Sequence, residues 1–265
     1  MNIPIYQVDA FAARPFGGNP AAVCPLDNWL ADDVMQAIGA ENNLSETAFY
    51  VPRGDGNGAE YDLRWFTPAA EADLCGHATL GTAYVVFTHF DPGAETLGFH
   101  TRSGRLAVTR DGDMLAMDFP AAAAAPASLG DVAGALGTEP REVYDSIYGM
   151  AVLDSAEAVR SLTPDFRAIA ELDCGGLIVT ALGEADSGVD FVSRFFAPKY
   201  GIDEDPVTGS AHCGLIPYWA NRLGKSEMVA HQISARGGEV HCRLDGDRVR
   251  IAGRVAPYLE GTIRL

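Results

Sequence analysis

The sequence RWFTP at residues 64–68 returns as RFFAP at residues 194–198, an offset of 130 positions. Three more segments return in the same order at offsets of 133 to 134: CGHA at 75–78 as TGSA at 208–211, RSG at 102–104 as RGG at 236–238, and DGD at 111–113 as DGD at 245–247. A nearly constant offset in constant order is the pattern of an internal repeat. The sequence therefore predicts two copies of one fold.

Each copy is predicted to combine many short strands with one buried helix. In the first copy, extended segments near 3–8, 21–24, 45–51 and 61–66 precede an apolar helix at about 78–87, and a hairpin follows at 106–119. The second copy repeats this order around an apolar helix at about 211–223. A helix that is apolar on all sides belongs in a core. We therefore expect an α+β fold of two pseudo-symmetric domains, each a β-barrel or curled sheet around a central helix.

The domain boundaries are predicted from a proline- and alanine-rich stretch, PAAAAAP at residues 120–126. A proline at each end favours an extended linker over a helix. The first copy then covers residues 1–119 and the second residues 127–258. The C-terminal tail, about 259–265, is predicted to complete the sheet of the first domain.

Composition limits the classes of partner. The 19 basic and 36 acidic residues among 265 give a formal net charge of −17, which disfavours nucleic acid and anionic membrane surfaces. The sequence contains no apolar run long enough for a spanning helix and no signal peptide, and its five cysteines are irregularly spaced. We expect a cytoplasmic protein without a disulfide framework.

The two copies differ at one carboxylate. NLSETA at residues 43–48 aligns with GLIVTA at residues 176–181, so that Glu46 corresponds to Val179. If the copies pack face to face around a cleft, an acid on one side only suggests chemistry with a single general base. A solvent-facing or ion-paired glutamate is the alternative interpretation.

Both predicted buried helices begin directly after a glycine turn, at Gly76 and at Gly209. Free N–H groups and the positive end of the helix dipole make such a start suitable for a carboxylate or an oxyanion, although tight turns alone also use glycine. His77 is predicted to be a neutral hydrogen-bond donor, because the dipole lowers the pKa of a histidine there. Cys75 is a possible nucleophile or base, because a helix start also lowers a thiol pKa.

Asp205 precedes Pro206, which favours an extended backbone that could turn the carboxylate inward. Its neighbours Asp203 and Glu204 are predicted to lie in a solvated turn, and His212 and Cys213 to pack in the core. Phosphate-loop, dinucleotide and zinc spacings are missing from the sequence. We therefore expect neither a cofactor nor a metal.

Five ordered motifs carry a resemblance to a known family: FGGNPA at 16–21, NLSETAF at 43–49, LRWFTP at 63–68, CGHATLG at 75–81 and DPVTGSA at 205–211. Over essentially its whole length the chain resembles the PhzF-like phenazine-biosynthesis isomerases. The resemblance implies the diaminopimelate epimerase-like fold, a homodimer and an active site between two halves. The characterised isomerase of that family moves a hydrogen across a dihydro-hydroxyanthranilate ring without a cofactor.

By this resemblance Glu46 is the catalytic acid/base, with His77 and Asp205 as further catalytic residues. Ser45, Gly76, Gly209 and Ser210 match positions that bind a small carboxylated substrate. Related epimerases use one cysteine on each side, at the positions of Cys75 and Thr208 here. An epimerase or racemase that uses Cys75, and a binding or scaffold protein without turnover, are the alternative hypotheses.

Overall fold

In a computed structural model of the protein, residues 1–54 and 59–265 are described, and the chain divides into two units. Unit 1 contains residues 1–118 and 252–265, and unit 2 contains residues 119–251. Among the described residues, no helix is both long and apolar enough to span a membrane.

The described residues of unit 1 form mainly short strands and two α-helices. Helix α1 covers Asp32–Asn42 and helix α2 covers Gly76–Val85, which continues as a π-helical turn at Val86–Phe90. The strands are β1 (Asn2–Ala10), β2 (Asn19–Pro25), β3 (Glu46–Pro52), β4 (Glu60–Phe66), β5 (Glu71–Ala72), β6 (Thr96–Thr101), β7 (Gly104–Asp111) and β8 (Met114–Pro120).

Unit 2 repeats this composition and adds short helices. Its helices are α3 (Val132–Leu136), α4 (Ala156–Arg160), α5 (Phe166–Ala170) and α6 (Gly209–Leu223), with a 3-10 turn at Pro198–Tyr200. Its strands are β9 (Ala125–Pro126), β10 (Glu142–Asp145), β11 (Gly149–Val152), β12 (Leu177–Leu182), β13 (Phe191–Ala197), β14 (Ile202–Asp205), β15 (Glu227–Gln232), β16 (Gly238–Asp245) and β17 (Arg248–Gly253). The last strand, β18 (Val255–Arg264), lies in unit 1 and pairs with β1.

The same pairing order occurs in both units. In unit 1, β2 runs parallel to β3, β3 antiparallel to β4, and β4 parallel to β6. In unit 2, β11 runs parallel to β12, β12 antiparallel to β13, and β13 parallel to β15. Equivalent strands therefore carry the motifs that repeat in the sequence.

Helix α2 packs against β1, β2, β3, β7 and β18, so the strands of unit 1 surround it. Its apolar sequence fits this position, because the residues on every side of it are buried. Gly81 permits close contact, since a Cβ there would lie 2.7 Å from Val8 Cγ2. In unit 2, α6 is also largely buried and ends at Gly224 in the left-handed conformation.

The repeated arginines make equivalent ion pairs. Arg64 binds both carboxylate oxygens of Glu71 at 2.7 and 2.8 Å, and Arg194 binds both oxygens of Glu204 at the same two distances. Each glutamate precedes the start of a central helix by five residues, at Gly76 and at Gly209. The prediction of a solvated Glu204 was wrong, because the side chain of this residue is only 18% exposed. Asp203, in contrast, is exposed.

Replacing Glu204 by alanine should lower the free energy of unfolding of the protein by about 3 kcal/mol, because Arg194 would stay mostly buried without its partner. Urea denaturation followed by circular dichroism measures this change. Asp203→Ala is the matched control and should change stability by less than about 0.5 kcal/mol. Equal losses in the two variants would contradict a specific role for the ion pair.

Candidate active site

The first group of predicted site residues lies in unit 1, where two parallel strands begin beside the start of α2. Asn19 opens β2, Glu46 opens β3, and Ala21 pairs with Glu46 across the parallel ladder. Gly18 directs the chain into β2 with φ +61°, and a Cβ there would overlap the carbonyl oxygen of Ala10. The fold thus joins side chains from three distant segments.

Glu46 and His77 form the centre of this group. Oε2 of Glu46 lies 2.9 Å from Nε2 of His77, and the two residues are only 8% and 5% exposed. Among the described residues, however, this oxygen meets no group in hydrogen-bonding geometry. Glu46 is thus a buried carboxylate beside an imidazole, with an oxygen available for another hydrogen or ligand.

Asn19 and Ser45 support the imidazole from the other side. The Asn19 amide nitrogen lies 3.1 Å from Nδ1 of His77, and the Ser45 hydroxyl donates to the Asn19 oxygen at 2.9 Å. An amide nitrogen can only donate, so in this arrangement Nδ1 accepts and the neutral ring carries its proton on Nε2, beside Glu46. A charged ring is accommodated if the Asn19 amide turns over, because the Ser45 hydroxyl can also accept.

The neutral state expected for His77 agrees with its Asn19 contact but not with the direction of its pKa. Burial is the largest single influence and lowers the pKa of His77, but the neighbouring Cys75 and Glu46 raise this pKa well above its ordinary value. Burial, with a smaller contribution from Glu46, raises the pKa of Cys75 to about 11, which disfavours its possible role as a nucleophile or base. Since that thiol stays protonated at neutral pH, Glu46 provides the charge that acts on His77 there.

The second group lies in unit 2, at the start of α6. Asp205 ends β14 and accepts a hydrogen bond from the Thr208 hydroxyl. Gln232 donates to the Asp205 carbonyl at 2.7 Å and accepts from the Thr208 backbone N–H at 2.9 Å. Ser210 lies in the first turn of α6, where its hydroxyl is 3.1 Å from that of Tyr148. Asp205, Gly209 and Ser210 are thus neighbours within this unit.

Neither central helix is capped by a side chain at its N-terminus. Cys75 and Thr208 hold the N-cap positions of α2 and α6 without a capping hydrogen bond from the side chain. No acidic residue lies in the first turn of either helix. This arrangement favours an anion near Gly76 and near Gly209.

Three residues of these groups were not assigned from the sequence: Asn19, Tyr148 and Gln232. Asn19 had a signal, because it lies in the FGGNPA motif, whereas the other two had none. His212 donates to the carbonyl of Thr208 at 2.8 Å through Nδ1, and burial lowers its pKa to about 4. Its ring is therefore neutral and packs within the core, near Phe191.

A family model described as phenazine biosynthesis-like protein matches residues 8–261. The chain belongs to this family. An uncharacterized isomerase of Pseudomonas aeruginosa is 53% identical over 100% of both chains. A crystal structure of a PhzF-family phenazine biosynthesis protein from Enterococcus faecalis is 48% identical, covers 100% of both chains and superposes with a TM-score of 0.95.

A hydroxyproline epimerase from Agrobacterium vitis shares the fold alone, at 10% identity, with 99% of this chain and 92% of that chain covered and a TM-score of 0.62. The predicted α+β, epimerase-like fold and the resemblance to PhzF-like proteins are confirmed by these neighbours. The protein is an isomerase of the phenazine biosynthesis-like family.

Proposed function

We propose that this phenazine biosynthesis-like isomerase moves a proton within a small carboxylated substrate, without a cofactor, by means of Glu46 as general acid/base. The observation that carries the proposal is the buried Oε2 of Glu46, which lies beside His77 and has no hydrogen-bond partner among the described residues. A buried carboxylate with an available oxygen can take a proton from an activated carbon and return it elsewhere on the same conjugated frame.

His77 supports this reaction through its position. Its Nε2 lies 2.9 Å from the carboxylate, so it stabilises Glu46 while the proton moves. Asn19 and Ser45 fix the ring from the side of Nδ1. The relatives named for phenazine biosynthesis favour a cyclic, aromatic-precursor substrate, and the uncapped start of α2 at Gly76 would bind its carboxylate or the enolate.

In unit 2, we assign to Asp205 a catalytic role in orienting the substrate and balancing the charge that develops on it. We assign substrate binding to Gly209 and Ser210. The support is the geometry of that unit alone: an uncapped helix start, and a hydroxyl and a carboxylate beside it. Loss of one oxyanion-hole donor costs about 3–4 kcal/mol in other enzymes. The cytoplasmic location and the homodimer stay predictions.

An epimerase that uses Cys75 has less support. The thiol is buried with a pKa of about 11, and its counterpart Thr208 holds its hydroxyl in a hydrogen bond to Asp205. A pair of thiolate bases is therefore disfavoured.

Incubation in D₂O with a panel of small cyclic carboxylates, including dihydro-hydroxyanthranilate, tests the proposal by NMR and mass spectrometry. We expect a positional isomer with the double bonds shifted and up to one deuterium at the newly protonated carbon. Deuterium at the original stereocentre with inverted configuration would instead show an epimerase. Turnover that appears only after a redox or nucleotide cofactor is added would contradict cofactor independence.

A further inference from the structure

Three potential metal ligands meet in unit 1, although their spacing in the sequence is not that of a zinc site. The carboxylate of Glu46, the thiol of Cys75 and the imidazole of His77 each offer one atom, and these three atoms lie within 4.8 Å of one another. The thiol sulfur is 4.0 Å from Nε2, and Oε2 is 2.9 Å from the same nitrogen. Sulfur, nitrogen and oxygen donors are those that Zn²⁺ prefers.

The separations of 2.9 and 4.0 Å lie on either side of those in a tetrahedral centre. Zinc bonds of about 2.0–2.3 Å place neighbouring ligand atoms roughly 3.3–3.7 Å apart. The Cys75 sulfur lies 3.5 Å from Nδ1 of His77, so the side chains of Cys75 and Glu46 must move to bring all three donors onto one ion. A water molecule would complete the coordination, as in zinc sites with three protein ligands.

Two observations independent of the spacing point to a ligand. Oε2 of Glu46 is buried and meets no hydrogen-bond donor in proper geometry among the described residues. A lone pair of this oxygen is therefore available to a ligand. Asn19 contacts Nδ1 of His77, and with its amide turned over it would accept from Nδ1–H and leave Nε2 to a metal. Orientation of a ligating histidine through its second nitrogen is the usual arrangement in metal sites.

The charge balance also fits a divalent cation. A thiolate from Cys75 and the carboxylate of Glu46 together neutralise a 2+ ion, so the buried complex would carry no net charge. Binding forms Zn–S, Zn–N and Zn–O bonds, breaks the S–H bond of Cys75 and the Nε2–H bond of the charged His77 ring, and releases both protons to solvent, with no change of oxidation state. The net charge of −17 attracts cations to the protein.

We propose that Glu46, Cys75 and His77 form an inhibitory binding site for one borderline-soft divalent cation, of which Zn²⁺ is the biological example. The cation occupies the carboxylate and the imidazole and so blocks proton transfer. The inhibition rests on the proposed function of Glu46, whereas the binding does not. A measurement of binding therefore separates failure of this site from failure of the proposed reaction.

Titration of the reduced protein with Co²⁺ tests the binding site without any substrate. We expect one Co²⁺ per chain with a near-ultraviolet thiolate-to-cobalt charge-transfer band, which Zn²⁺ abolishes by displacement. Cys75→Ser should remove the band, and His77→Gln should weaken binding by about tenfold or more. Cys174→Ser is the matched control, since it removes a half-buried thiol of unit 2 and should leave the band intact.

A surface cluster in unit 2 requires its own control. Glu239 lies 2.8 Å from His241 and 3.4 Å from His231, so this cluster could bind cobalt without a thiolate band. His241→Gln removes such binding and should not change the band. A band that persists in Cys75→Ser, or no band in the folded wild type, would overturn the proposal.

Alkylation of the wild type gives a measurement that does not depend on the folding of a variant. With iodoacetamide and mass spectrometry, stoichiometric Zn²⁺ should slow modification of Cys75 at least about tenfold relative to metal-free protein, and leave Cys174 unchanged. Equal rates for Cys75 with and without Zn²⁺ would contradict metal binding at this thiol.

Discussion

Replacing Glu46 by glutamine is expected to lower kcat by about a thousandfold, the middle of the range for loss of a general acid/base. Glutamine keeps the shape of the side chain and its place at the start of β3, but it cannot accept a proton from carbon. The rate of deuterium incorporation into product in D₂O gives the measurement, with the substrate identified by the panel experiment. The variant should still bind substrate, so KM should change far less than kcat.

Glu41→Gln provides the matched control for this experiment. Glu41 is an exposed residue of α1, five positions before Glu46, and its substitution removes the same charge from the same unit. We expect wild-type kcat for Glu41→Gln. If Glu46→Gln keeps more than about a tenth of the activity while correctly folded, another group is the base and the assignment of Glu46 is wrong.

The fold was largely predictable because it repeats a pattern along the chain. RWFTP and RFFAP form equivalent parts of β4 and β13, and the two glycine turns begin α2 and α6. The functional groups were only partly predictable, since they depend on pairing between distant segments. Asn19 and Glu46 are neighbours because β2 and β3 run parallel, and Gln232 reaches Thr208 over 24 positions of sequence.

The pKa shifts of His77 and Cys75 both run against the effect of the helix dipole, for one physical reason. The helix dipole lowers the pKa of a histidine or a thiol at a helix start, and this local effect was all that the sequence offered. In the structure, the carboxylate of Glu46 lies 2.9 Å from His77, and Cys75 is buried. A full charge at contact distance and complete desolvation both exceed the partial charge of a dipole.

Replacing Asn19 by leucine is expected to lower kcat by about 10- to 100-fold, the usual cost of losing the group that orients a functional histidine. Asn19 is fully buried, and its amide is the contact of Nδ1 that links the ring to Ser45. Leucine has a similar size but offers no polar atom, so the ring would lose the contact that holds Nε2 beside Glu46. Steady-state kinetics and ¹⁵N NMR of the imidazole measure the two effects.

A purely structural role for Asn19 predicts a different result. It would lower the melting temperature and the amount of active enzyme, while kcat per folded molecule and the ¹⁵N shifts of His77 stayed those of the wild type. Asn28→Leu, at an exposed position of the same unit, controls for the change in polarity and should leave both readouts unaltered. An altered imidazole signal together with reduced kcat would assign Asn19 to the positioning of His77, since a loss of stability alone does not turn the ring.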